Sequence, residues 1–297
     1  MPIIGKSIRV YLADATVTGI RYAELVNWTG QAIACPRSRL NELTHWPEAS
    51  KPGIYFLFER HFGDSTPIAY IGESENVCQR LTTHDRKKEF WSEAVIFTSK
   101  DENLTKAHIK YLEATLVNLS INAKRYQLEN SNTPTESSLP RADQDAMKEF
   151  IENTRMVLGI IGYSILEPIL QSKLSGESAT QAVTTDPLSD LIFCVNNLTA
   201  YGSVTDEGFV LKKDSQLSKL NTASIPGKLA SIKERLLTDG ALTDDGEKLI
   251  ATTDILFSSS TYAAAIVAGT SRSGPQSWKT IDGKTMKSIE DASLNNP

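Results

Sequence analysis

Short apolar or alternating runs bounded by turn residues fill the first part of the chain, and longer runs with helical spacing follow them. Residues 8–12 (IRVYL) alternate as a strand does, with a turn signal near Asp14. Residues 21–26 read as a helical stretch, ahead of the basic cluster Cys35-Pro36-Arg37-Ser38-Arg39-Leu40. From Pro52 onward the pattern is compact. Residues 53–58 (GIYFLF) and 68–72 (IAYIG) are β-prone runs joined by a loop over 61–67, which predicts a hairpin. Ser74 is placed to cap a helix in which Val77 and Leu81 lie four apart, and residues 91–98 read as a third strand. Asn103 or Thr105 then opens a second helix, where Ile109, Leu112, Leu116 and Leu119 recur at helical spacing. The predicted order is strand, strand, helix, strand, helix.

The pattern then changes. Residues 128–142 (LENSNTPTESSLPRA) are polar and turn-rich, residues 143–158 have the spacing of an acidic amphipathic helix, and residues 175–190 form a second polar stretch. Beyond them lie β-prone runs around Gly208-Phe209-Val210-Leu211, a helix over 225–237 that stops before Asp239-Gly240, and an Ala-rich helix capped within Ser258 to Ser260 and ending at Gly269. The expected class is α/β in the α+β sense: a small sheet flanked by helices, a linker helix and a separate C-terminal α/β unit. The expected domains are 1–142 with a core at about 50–130, an acidic helix and linker over 143–190, and 191–297, which carries no evident catalytic cluster.

Composition narrows the classes. At 297 residues, with 40% apolar and 23% charged residues, the chain reads as an ordinary globular protein of two domains. Its most apolar stretch, 156–170, is interrupted by Glu167 and Pro168, so no membrane span is expected. The start, MPIIGKSIRV, lacks the features of a secretory signal, which predicts a cytoplasmic protein with reduced, mostly buried Cys35, Cys78 and Cys194. His45, His61, His84 and His108 have no zinc spacing. The net charge of -5 is unevenly spread: 17 basic against 16 acidic residues over 1–142, 3 against 8 over 143–190, and 11 against 12 thereafter. A near-neutral first half admits a local basic groove with weak, salt-sensitive binding to nucleic acid.

Several side chains stand out on position alone. Tyr55 alternates with Ile54 and Phe56, and Tyr70 with Ala69 and Ile71, so each phenol faces away from its apolar neighbours. Arg80 and His84, four apart, share a helix face. Glu113 sits at the margin of the Ile109–Leu116 stripe, where a carboxylate calls for a cation beside it.

Gly53-Ile54-Tyr55 and Tyr70-Ile71-Gly72, then Glu73-Ser74 opening a helix with Arg80 and His84, then Glu113 within Tyr111-Leu112-Glu113-Ala114-Thr115-Leu116, resemble the GIY-YIG nuclease pattern, with both triplets in literal form. The first strand with Pro36-Arg37-Ser38-Arg39-Leu40 is similar to the leader of a bacterial subgroup of that family. Gly208-Phe209-Val210-Leu211, Phe257-Ser258-Ser259 and Trp278-Lys279 followed by Asp282-Gly283-Lys284-Thr285 resemble a C-terminal domain of unknown function that accompanies it.

The resemblance implies hydrolysis of DNA phosphodiesters with one divalent cation, Mg²⁺ or Mn²⁺, on Glu113. In it Tyr55 activates water, Arg80 stabilises phosphate charge, Tyr70 orients water or phosphate, and His84 takes up the Tyr55 proton. It also implies an asparagine after the glutamate helix; Asn118, Asn122, Asn130 and Asn132 compete, and Asn130, after Arg125-Tyr126, is the preferred one. The insert between the triplets is longer than is usual in the family, which leaves room for the loop around Gly63 to reshape the groove. Arg37, Arg39, Arg86, Lys87 and Lys88 are the basic positions for the DNA backbone, or else a solvated face. The bland alternatives are strand tyrosines that only pack, an Arg80–Glu113 structural ion pair, and an idle His84. At the level of the whole protein, the alternatives to an endonuclease are a catalytically silent module of the same shape that binds nucleic acid or protein, and a C-terminal half that senses an unknown partner or ligand.

Overall fold

The computed structural model describes residues 5–60, 66–130, 134, 137–169, 188 and 190–294. The expected loop residues His61 and Gly63, the competing Asn132, and most of the two expected polar linkers lie outside them. The chain divides into two compact units, Met1–Pro168 and Ile169–Pro297.

In the first unit β1 (Ile8–Leu12), β2 (Arg21–Leu25) and β3 (Gly30–Pro36) form an antiparallel meander. Two 3-10 stretches, Arg37–His45 and Pro47–Ser50, lead into β4 (Gly53–Glu59) and β5 (Ile68–Ser74), then α1 (Val77–Lys87), β6 (Trp91–Ser99), α2 (Lys106–Ala123), β7 (Gln127–Leu128) and α3 (Arg141–Ile161). The strands make one seven-stranded sheet, β1-β2-β3-β6-β4-β5-β7. The N-terminal segment is therefore not an appended leader: β3 pairs along its whole length with β6 and enlarges the sheet.

Two local expectations are corrected. Residues 21–26 are not helical, because Ala23 and Leu25 alternate inward and pair with Val10 and Ile8 of β1. The helix preference of the Ala-Glu-Leu stretch is weak, and cross-strand burial overrides it. The cap of α1 is Asn76, whose side chain accepts from the Gln79 N–H at 3.0 Å, while Ser74 ends β5 and donates to the Asn76 carbonyl.

Period-two alternation gives the sheet two apolar faces. Ile54, Phe56, Ile71 and Phe97 meet Leu112 and Leu116 of α2 on one side. Tyr55, Leu57 and Ile96 meet Val77 and Leu81 of α1 on the other. Each fully buried side chain of this size stabilises the fold by roughly 1.5–3 kcal/mol. The acidic helix expected as a linker belongs to this unit instead: Phe150, Ile151, Val157 and Leu158 of α3 are buried in the same core as α2. Arg21 pairs with Glu93 at 2.6 Å and reaches the Ile161 carbonyl, which ties the end of α3 to the sheet.

The glycines of the two triplets are required by close approach. A Cβ on Gly53 would strike the Phe97 carbonyl of the neighbouring strand, and one on Gly72 would strike the Tyr55 phenol.

In the second unit β8 (Leu191–Val195), β9 (Leu198–Thr205), β10 (Gly208–Leu211), β11 (Gln216–Ser218), α4 (Gly227–Thr238), β12 (Leu242–Asp244), β13 (Lys248–Ala251), β14 (Ile255–Phe257), α5 (Ser260–Ala268), α6 (Gly274–Ser277) and α7 (Met286–Leu294) follow in order. The strands form two sheets, β14-β10-β9-β8 and β11-β13-β12. The Ala-rich α5 is buried along nearly its whole length, capped by Ser259 at its start and by Gly269 in the left-handed region at its end. Trp278 is sealed in this core, with its indole N–H donating to the Ser260 carbonyl at 3.0 Å. The fold is thus mixed α+β, and among the described residues no helix is long and apolar enough to cross a membrane.

Candidate active site at the β5 edge

The outer edge of β5 is paired by a strand over two residues only, Ile68 and Ala69 against β7. Beyond them, a side chain takes over the strand's backbone. Asn130 accepts from the Ile71 N–H at 3.1 Å and donates to the Ile71 carbonyl at 2.8 Å, as one residue of a further strand would. Glu113, from α2, lies near Glu73 of β5, close enough for the two carboxyls to bias each other.

On the α1 side of the sheet the Tyr55 phenol is a hub. Its oxygen lies 2.8 Å from His84 Nε2, and the Arg80 guanidinium and the Tyr70 phenol stand near enough to bias its charge. The rings pack at 6.2 Å for Tyr55–Tyr70, 5.6 Å for Tyr55–His84 and 5.2 Å for Tyr70–His84. Depth is graded: Tyr55 and His84 are 0% and 7% exposed, Tyr70 is half-buried, and Arg80 faces solvent.

Burial and charge set the protonation states. Burial pushes the Tyr55 phenol well above its usual value, with the neighbouring Tyr70 adding to the shift and the Arg80 cation opposing it. His84 is lowered to about 4, first by burial and then by the charges of Arg80, Lys88 and Lys87, so the imidazole is neutral. Its Nδ1 is buried without a partner. The Glu113 carboxyl is raised to about 7, first by burial and then by the nearby Glu73 charge, with Lys106 and Arg80 opposing. Glu73 itself is held by Lys106 through two contacts of 2.8 and 2.9 Å.

A carboxylate desolvated beside a second carboxylate gains from a divalent cation, and a hard ion of the Mg²⁺ kind binds through one or two carboxylates while keeping several waters. Glu113, with Glu73 beside it, fits that donor set. Among the described residues no three His, Cys, Asp or Glu side chains gather as a closed metal cage.

Tyr55, Tyr70 and His84 thus cluster on the α1 side of the sheet with Arg80 beside them, while Glu113 comes from α2 and lies near Glu73 of β5. Asn130 takes a different part from the expected DNA contact: its amide is spent on the β5 backbone. Asn118 and Asn122 make no such contact with β5 among the bonds of the described residues. Arg37 and Arg39 each have partners within the first unit. Arg37 stacks on Trp91 and donates to the Asp85 carboxylate and to the carbonyls of Asp85, Glu89 and Trp91, while Arg39 bridges Asp14 and Glu42. Their donors are engaged within the fold. Lys87 is exposed, Lys88 is paired with Glu129 at 2.8 Å, and the Arg86 side chain lies outside what is described.

Sequence reasoning missed Glu73, Lys106 and Glu129. A signal existed for one of them, since Lys106 precedes Glu113 by seven residues and shares its helix face. A cavity lined by Thr66, Val117, Ile121, Lys124, Tyr126 and Asn130 adjoins β7, and none of Tyr55, Tyr70, Arg80, His84 or Glu113 lines it. Of the cysteines, Cys35 and Cys78 are buried and Cys194 is exposed.

Comparison with known proteins bears on the second unit alone. Residues 191–290 match DUF4357, a domain of unknown function. No curated protein and no solved structure matches the chain. The DUF4357 match fits the resemblance drawn from Gly208-Phe209-Val210-Leu211 and Trp278-Lys279. Two of those residues, Phe209 and Trp278, pack in its core as tilted rings, with centroids 4.5 Å apart and planes at 43°.

Proposed function

We propose that the first unit is a metal-dependent DNA endonuclease of the GIY-YIG type. The observation that carries the reading is the Tyr55 hub, where a buried phenol bonds a neutral imidazole with a guanidinium and a second phenol beside it, and Glu113 lies near the adjoining strand. Perturbed ionisable groups that converge in this way support a reacting site over a merely packed tyrosine.

In this reading Arg80, the exposed member, receives the scissile phosphate and stabilises the charge that grows on it during in-line attack. Tyr55 accepts a proton from the attacking water while its own proton passes to His84 Nε2, which requires the Nδ1–H tautomer of the imidazole. The low basicity of His84 comes partly from Arg80, Lys87 and Lys88, so a bound phosphate anion offsets those charges and strengthens the base when substrate is present. Tyr70, half-buried with its ring packed against that of Tyr55, orients the water or the phosphate. Glu113, with Glu73 beside it, would hold a divalent cation, which supplies Lewis-acid polarisation of the phosphate and a lowered pKa for bound water. DNA is the substrate class, and the DUF4357 region recognises a partner outside the reaction.

The test is cleavage of supercoiled plasmid and branched DNA in Mg²⁺ or Mn²⁺ by the full chain beside Glu113→Gln. Wild-type cleavage lost in the variant with DNA binding retained supports the reading. Equal cleavage by both removes Glu113 from the site, and DNA binding without any cleavage leaves the silent binding module.

A further inference from the structure

The end of α1 concentrates charge that the reaction scheme above leaves unused. The Lys88 N–H donates to the His84 carbonyl at 2.9 Å, so lysine and imidazole share one helical turn. The Lys88 ammonium sits 4.5 Å from the centroid of the Tyr70 ring and 6.0 Å from that of Phe90. Its counter-charge comes from a different part of the chain, the segment that completes the β5 edge. The Glu129 N–H donates to the Ala69 carbonyl at 2.8 Å, the next residue, Asn130, holds Ile71, and the Glu129 carboxylate reaches Lys88 at 2.8 Å.

We propose that Lys88, lying over Tyr70, marks a subsite for a phosphodiester oxygen, and that the Glu129 carboxylate fills this subsite as an internal stand-in until a phosphate displaces it. The proposal rests on the nuclease reading and names a second phosphate position within it. Carboxylate and phosphate offer the same thing to an ammonium, a charged oxygen with lone pairs to spare, so one can replace the other without rearranging the lysine. Exchange is easy because the pair is partly solvated: the side chains are 22% exposed for Lys88 and 48% for Glu129, and such pairs are weak and screened by salt. The alternative counter-ion on this turn is already engaged, since Asp85 holds Arg37 at 2.8 Å. Arg80, Lys87 and Lys88 all act on His84, so an anion seated on Lys88 is felt at the imidazole. Glu129 thus keeps the cationic turn from attracting anions indiscriminately and gives way to the polyanion.

The experiment measures the affinity of a short fluorescein-labelled duplex for the full chain by anisotropy in metal-free buffer over a range of salt. Lys88→Met, Glu129→Gln and the double variant are compared with wild type. Glu129→Gln is expected to tighten binding about three- to tenfold with the slope of log K against log salt little changed, because the same phosphate contact forms once Glu129 is displaced. Lys88→Met is expected to weaken binding and flatten that slope by about 0.9, one phosphate contact, and the double variant to match Lys88→Met. Shifts under about twofold with unchanged slopes, or weaker binding in Glu129→Gln, overturn the proposal. Inorganic phosphate, followed through the Tyr70 ring protons by NMR, separates its failure from that of the nuclease reading. Lys88-dependent phosphate binding that tightens in Glu129→Gln upholds the subsite even in a protein that neither binds nor cuts DNA. Phosphate binding indifferent to both residues overturns it.

Discussion

Each unit buries an ionisable group against the rule that charges stay wet, and the two do it differently. In the first unit Tyr55 and His84 lie deep and Glu113 is half-buried, all within reach of other ionisable groups, so that each one's proton depends on its neighbours. In the second, Lys233 of α4 is 2% exposed, and its ammonium donates to the Asn221 side-chain oxygen at 2.9 Å and to the Ser218 carbonyl. Burial lowers it to about 8. The lysine braces the chain between β11 and α4 and has no acid to exchange a proton with. Perturbation alone therefore does not mark a reactive site, and the function proposed above rests on perturbation shared among neighbouring groups.

The largest effect that separates the two cases is catalytic. Tyr55→Phe removes one oxygen from the hub and is expected to lower cleavage by about 10² to 10⁴-fold while duplex affinity, read by anisotropy, stays within twofold. A Tyr55→Phe enzyme as fast as wild type would reduce the hub to packing and erase the contrast with Lys233.

Stability should break next. Gly72→Ala puts a Cβ into the Tyr55 phenol, and overpacking of this kind costs about 1–3 kcal/mol. Denaturant unfolding followed by native-state proteolysis should place the loss in residues 5–168. A loss shared by residues 190–294 would mean that the two units do not unfold separately.

Lys233 sharpens the comparison through pH. Its folded pKa, about 8, lies below the unfolded value near 10.4, so the unfolded chain binds more protons between those values. Stability of the second unit should therefore rise as pH increases from about 8 to about 10.4, by at most about 3 kcal/mol, because the two oxygen acceptors offset part of the burial penalty. Lys233→Met should abolish that rise in thermal melts. A slope that survives the substitution would assign the titration to other groups.

The smallest expected effect is at Arg39. Its guanidinium is held by Asp14 and Glu42, so Arg39→Gln should leave duplex affinity unchanged within about twofold. A tenfold loss would return the residue to the DNA surface.

By itself the sequence determined the local elements whose pattern is strong. The hairpin strands, the third strand, α2 with its start at Asn103 or Thr105, α3 and α5 were all legible, because apolar periodicity and caps act over a few residues. It also named the side chains of the hub, since literal Gly53-Ile54-Tyr55 and Tyr70-Ile71-Gly72 carry steric requirements that only glycine meets at those two points. Tertiary structure decided what depends on distant partners. Residues 21–25 became a strand because β1 and β3 flank them, and α3 joined the first core because Phe150 and Leu158 found the sheet. Arg37 and Arg39 were drawn inward by Asp85, Asp14 and Glu42, and Asn130 was drawn onto Ile71. Glu129 reached Lys88 from 41 positions away, a separation at which no periodicity operates. A side chain's partner is set by which backbone edges and charges the fold leaves uncovered nearby, and that is a property of the assembled sheet rather than of any window of the chain.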